Sequence, residues 1–137
     1  MIFKQVFDTK SSTYTYIIAS GKGREAVIID PVIENVESYI GLLNELDLKL
    51  VKVIDTHIHA DHVTGASKLK QATNCSTLMG EHTPADAVEI KVKDDEIIKI
   101  DQIEIKAMYT PGHTSDSYSF LMDNYLFSGD TLLINGT

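Results

Sequence analysis

Three of the five histidines in this 137-residue chain fall within six positions, in Thr56-His57-Ile58-His59-Ala60-Asp61-His62. A fourth, His113, lies in Thr110-Pro111-Gly112-His113-Thr114, and a later acid stands in Ser128-Gly129-Asp130. In an extended segment alternate side chains point the same way, so His57 and His59 can aim both imidazoles at one point. As the chain turns toward a helix, Asp61 and His62 can reach the other side of that point. Imidazole nitrogens and a carboxylate, at roughly 2.0–2.2 Å, suit zinc or iron. Pro111 stiffens the approach to His113, and Gly112 allows a close backbone path beside an ion. Gly129 can do the same before Asp130, whose two oxygens could bridge or cap the site. Taken singly, each motif has an ordinary reading. A His-x-His at a strand end is usually surface or packing, and Thr-Pro-Gly-His or Gly-Asp is usually a turn. Taken together, four of five histidines in two strand-end loops point to a metal centre. His82, in Glu81-His82-Thr83-Pro84, has no partner at ligand spacing and reads as solvated loop. Cys75 sits in an apolar-leaning strand and reads as packing, not as a nucleophile.

The elements that must position these residues follow from hydrophobic period. Tyr14, Tyr16 and Ile18 alternate with their neighbours as a strand, stopping at Gly21-Lys22-Gly23. Ala26 to Ile29 is a second strand that ends at Asp30-Pro31, making a hairpin with a glycine-rich turn. Val36, Ile40, Leu43 and Leu46 recur at helical spacing, with Glu34 and Glu37 near the start, where the helix dipole favours acids. Leu50 to Ile54 is a strand apolar on both faces, running directly into Asp55-Thr56-His57. A short helix is expected over 63–73 and a strand over 75–79. Ile98 and Ile100 against Ile103, Ile105 and Ala107 form a hairpin around Asp101-Gln102. Ser119 to Met122 and Tyr125 to Phe127 form another, turned at Asp123-Asn124. A helix between early strands, followed by hairpins, predicts a mixed sheet with helices on one face, an α+β layered sandwich. His57, His113 and Asp130 then each follow a strand and can meet at one sheet edge.

Composition narrows the function classes. Lys and Arg number 12 against 20 Asp and Glu, a net charge of −8, which argues against nucleic-acid backbones and anionic membranes as partners. Hydrophobic residues make up 43%, enough for a folded core. No repeat or linker divides the chain, so residues 1–137 read as one domain. Cys75, the one cysteine, cannot form an internal disulfide, which fits a reducing compartment. No apolar run has the ~18 residues of a membrane span. The first residues lack the basic stretch and apolar core of a signal peptide. The expectation is a soluble cytoplasmic protein.

The ligand pattern His-x-His-x-Asp-His, with a later His and Asp, resembles the metallo-β-lactamase superfamily. Within it, Ala26 to Pro31 (AVIIDP), Val53 to Gly65 (VIDTHIHADHVTG), Thr110 to Thr114 and Ser128 to Leu133 (SGDTLL) look like the persulfide dioxygenases. Glyoxalase II relatives usually continue the motif into a Gly-Gly pair, whereas here His62 is followed by Val63-Thr64-Gly65-Ala66. The resemblance implies an αββα sandwich of two similar halves, of which this chain covers the first, truncated at the C-terminus. The Gly-Arg-Thr-Asp-Phe-like segment and the late histidine of the second half are absent from it.

The resemblance also implies roles. His57, His113 and Asp130 would ligate Fe(II), with open positions for O₂ and a glutathione persulfide that ends as sulfite and glutathione. His59, Asp61 and His62 would orient ligands or water, Asp61 being the candidate catalytic residue. The alternative is a thioester hydrolase with one or two zinc ions. There His57, His59 and His113 hold one ion, Asp61 and His62 the other, and Asp130 bridges. A third possibility is an inactive fragment that keeps a metal-binding remnant. Half a sandwich leaves a sheet face uncovered, so a homodimer or the remainder of a longer chain is expected to cover it.

Overall fold

The structure, a computed structural model, describes residues 1–56, 65–81, 89–110 and 117–128, and the backbone of 132–134. Two β-sheets lie face to face, with helices on the outside of the first. That first sheet contains β1 (Ile2–Asp8), β2 (Thr13–Ala19), β3 (Glu25–Ile29), β4 (Lys49–Ile54), β5 (Ser76–Gly80) and β6 (Ile90–Val92), side by side in chain order. β1, β2 and β3 are antiparallel; β3 through β6 are parallel. The second sheet is wholly antiparallel, in the order β11-β10-β9-β8-β7. Its strands are β7 (Ile97–Ile100), β8 (Ile103–Tyr109), β9 (Tyr118–Met122), β10 (Tyr125–Phe127) and β11 (Leu132–Ile134).

The mixed sheet and α+β layering expected from the sequence are present, and the structure adds that the late hairpins form a second, separate sheet. The two late hairpins do not extend the first sheet, because each buries alternate residues on one face only. Ile98, Ile100, Ile103, Ile105, Ala107, Phe120, Met122 and Phe127 meet Tyr16, Ile18, Val27, Ile29 and Ile54 in one core between the sheets. An alternating strand needs a facing apolar layer, and the inner face of the first sheet supplies it. On that sheet's other side, α1 (Val36–Glu45) presents Val36, Tyr39 and Leu43 at helical spacing. These pack with Ile17, Ile28, Val53 and Leu69 of α2 (Gly65–Thr73) in a second core, which also takes Cys75. Burial pushes the Cys75 thiol pKa up, in keeping with a packing role. Helices, mixed sheet and antiparallel sheet are the first three layers of an αββα sandwich. Strand β1 carries no strong alternation and the sequence left it unassigned; it forms by pairing with β2 along its full length.

At the end of the sandwich where β3 and β4 begin, two turns clasp the sheets together. Arg24 donates through Nε and Nη2 to the two Asp101 oxygens, both at 2.6 Å. The Gln102 amide donates to Ser20 Oγ at 3.3 Å. The guanidinium holds the Asp101 carboxyl below its ordinary range, so its contribution is present above about pH 4 and lost as pH falls through the lowered value. Asp101 takes a positive φ of 57°, which an aspartate tolerates in a tight hairpin turn. Among the described residues, no helix is long and apolar enough to cross a membrane.

Candidate metal centre

The six sequence-derived site residues, His57, His59, Asp61, His62, His113 and Asp130, lie outside the described residues, as does His82. The strands that lead into them are well defined, and they finish at one end of the sandwich. Tyr16 of β2 pairs with Ile29 of β3, which pairs with Ile54 of β4, so the start of β2 lies level with the ends of β3 and β4. The Tyr118 amide at the start of β9 donates to Thr56 O at 2.9 Å, which brings the second sheet to the same level. Because β8 and β10 both run antiparallel to β9, each ends where β9 begins. The chain reaches position 57 from β4, position 113 from β8 and position 130 from β10.

Thr56, the last described residue before His57, is 1% exposed and held on three sides. Its amide donates to Asp30 Oδ1 and its hydroxyl to Asp30 Oδ2, each at 2.8 Å. Its carbonyl takes the Tyr118 amide. Asp30 is itself buried, with a positive φ of 54° just past the end of β3. The Asp30 amide donates to Ile54 O at 2.8 Å, extending the ladder by one residue. Behind it lies a buried relay. Thr15 Oγ1 donates to Asp30 O at 2.7 Å and lies 3.1 Å from the Tyr39 hydroxyl, which accepts from the Val32 amide at 3.0 Å. Since the Thr15 proton is committed to Asp30, the Tyr39 hydroxyl is the donor to Thr15.

The far end of the ligand segment is pinned to the same place. A Cβ on Gly65, the first residue of α2, would fall 2.7 Å from Pro31 O, closer than a side chain allows. Thr56 is thus seated on Asp30 and Gly65 on Pro31, two adjacent residues. The next segment is closed at its base in the same way. The Thr110 amide donates to Ser117 O at 3.1 Å, and the Thr110 and Ser119 hydroxyls lie 2.8 Å apart. The Tyr118 ring packs against Gly80, where a Cβ would lie 1.9 Å from Cδ1, and lies 5.3 Å from the Tyr109 ring. At the end of β10, Phe127 packs edge-on against Tyr16 with centroids 4.8 Å apart.

Histidine and aspartate side chains are the donor types a divalent ion takes, and the described strand ends that precede positions 57, 113 and 130 lie at one end of the sandwich. Sequence reasoning gave no role to Asp30, Gly65 or Gly80. Only Asp30 had a local signal, an acid closing a run of four apolar residues.

A model of the metallo-β-lactamase superfamily matches residues 8–137. The chain is 34% identical to persulfide dioxygenase ETHE1, mitochondrial, of Bos taurus, over 99% of this chain and 54% of that protein. It is 30% identical to a hydroxyacylglutathione hydrolase of Dictyostelium discoideum, over 90% of this chain and 49% of that one. The crystal structure of ETHE1 from Myxococcus xanthus superposes with a TM-score of 0.89 at 41% identity, covering 98% of this chain and 59% of the other. The chain thus spans about half the length of the curated relatives it matches.

Proposed function

The chain belongs to the metallo-β-lactamase superfamily, and from that premise we propose that it serves as a non-haem iron persulfide dioxygenase, converting glutathione persulfide to sulfite and glutathione. The Fe(II) that His57, His113 and Asp130 would hold supplies the chemistry with O₂ when bound. His59, Asp61 and His62 would orient ligands or water, with Asp61 as the catalytic residue. One observation supports this reading most: the Asp30–Thr56–Tyr118 clasp ties both sheets together immediately before His57. The hydrolase relative favours a second reading, in which the same donors hold one or two zinc ions and a thioester is cleaved. Val63-Thr64-Gly65-Ala66 in place of a Gly-Gly pair supports the first.

Metal analysis on protein purified without added metal tests it. About one iron per chain is expected, lost in both His57→Ala and Asp130→Ala, with O₂ uptake on adding glutathione persulfide. Zinc in place of iron, with thioester cleavage and no O₂ uptake, would overturn it in favour of the hydrolase.

The outer face of the second sheet also needs a cover. Ile97 is 49% exposed there, and the cross-strand partners Leu121 and Leu126 are half-buried, their neighbours Phe120 and Phe127 being turned into the core. A second copy of this chain, or residues of a longer one, would bury that face. Sedimentation equilibrium of this chain is expected to give a dimer, and a monodisperse monomer would rule out self-association. A single buried cysteine suits a reducing compartment, and we place the protein in the cytoplasm.

A further inference from the structure

Of the ten Phe and Tyr rings, nine are buried or partly buried, and Phe7 alone stands out at 46% exposed. Phe7 is the cross-strand partner of Tyr14, with ring centroids 4.6 Å apart. Tyr14 lies on the face of β2 that carries Tyr16 and Ile18, and it packs at the border of the core between the sheets. Side chains of an antiparallel pair share a face, so Phe7 also projects toward the second sheet. The pair sits one same-face step beyond Tyr16, past the level where β3 and β4 end. Strand β10 runs toward this end too. Tyr125 at its start lies 5.0 Å from Phe3, whereas Phe127 at its finish packs on Tyr16. The exposed ring therefore stands at the mouth between the two sheets, three strand spacings or about 14 Å from β4.

We propose that Phe7, backed by Tyr14, forms an apolar wall of the substrate mouth and packs against the methylenes and peptide planes of a glutathione moiety. This rests on the function proposed above, whose substrate is a glutathione derivative. Phe7 is then a positioning residue: it holds the organic part of the substrate while the sulfur points inward from the rim. The Tyr14 ring, tilted 42° against it, backs Phe7, which stays 46% exposed.

Calorimetric titration of the purified chain with reduced glutathione tests the assignment. Phe7→Ala is expected to weaken binding roughly fivefold, the scale of one lost aromatic contact, while Phe7→Leu and Tyr14→Phe stay within about twofold. Melting temperature and metal content should be unchanged in all three. In turnover, Phe7→Ala should raise KM with kcat preserved, a split that a folding defect does not produce. Equal affinity of Phe7→Ala and the parent for glutathione, or no binding by the parent, would overturn the proposal. Glutathione binding that depends on Phe7 without O₂ uptake would leave this wall in place and remove only the dioxygenase reading.

Discussion

Asp30→Ala is expected to be among the most damaging substitutions in the chain, although Asp30 is assigned no metal. Its carboxylate accepts from both the amide and the hydroxyl of Thr56 at 2.8 Å, inside the protein. Removing it leaves two buried donors without that acceptor, at about 1–3 kcal/mol each. Alanine at a φ of 54° adds about 1 kcal/mol of backbone strain that aspartate largely escapes. A loss of roughly 3–7 kcal/mol corresponds to a melting temperature lower by about 10–20 °C in a domain of this size. Metal content should fall with it, because Thr56 precedes His57 directly. Asp30→Asn keeps one acceptor and tolerates the positive φ, so it should lose less than half as much. Thermal melting by circular dichroism, with metal analysis of the same samples, checks both. An alanine variant that melts within about 2 °C of the parent and keeps its metal would show that the clasp does not organise the site.

Gly80→Ala should be comparably severe for a steric reason. The added methyl would lie 1.9 Å from Cδ1, 2.2 Å from Cε1 and 2.5 Å from Cγ of Tyr118. These are the body of a ring that is 1% exposed and flanked by Tyr109 and Phe120, so it cannot simply turn aside. Overpacking of this kind costs about 1–3 kcal/mol or more. Displacing Tyr118 also pulls its amide from Thr56 O, the contact that joins the second sheet to the ligand segment. Truncating the ring makes room for the methyl, so Gly80→Ala combined with Tyr118→Ala should cost less than the sum of the two single changes. A double-mutant cycle on unfolding free energies measures this; strict additivity would mean that the glycine and the ring are not in conflict.

Much of the fold was legible because it is written in local period. The Val36–Glu45 helix, the apolar β4 and the two late hairpins match their patterns to within a residue or two, since each buries one face of a regular element. The candidate metal motif is a local pattern as well, since His57, His59, Asp61 and His62 are close in sequence and few other roles need that spacing; these residues lie outside the described ones. β1 was not legible, because its half-buried, mixed pattern is stabilised by pairing with β2 and not by a periodicity of its own.

The sequence by itself determined the endings of the strands that precede the candidate ligands and the hairpin character of the second half. Tertiary structure alone decided that those hairpins form a separate sheet facing the first. It also decided that Thr56 is gripped by an aspartate 26 residues earlier and by an amide 62 residues later, and that Phe7 stands exposed at the mouth. Each of these depends on contacts between residues far apart in the chain, where no local pattern records which partner will arrive. Periodicity says which face of a strand will be buried; only packing says against what.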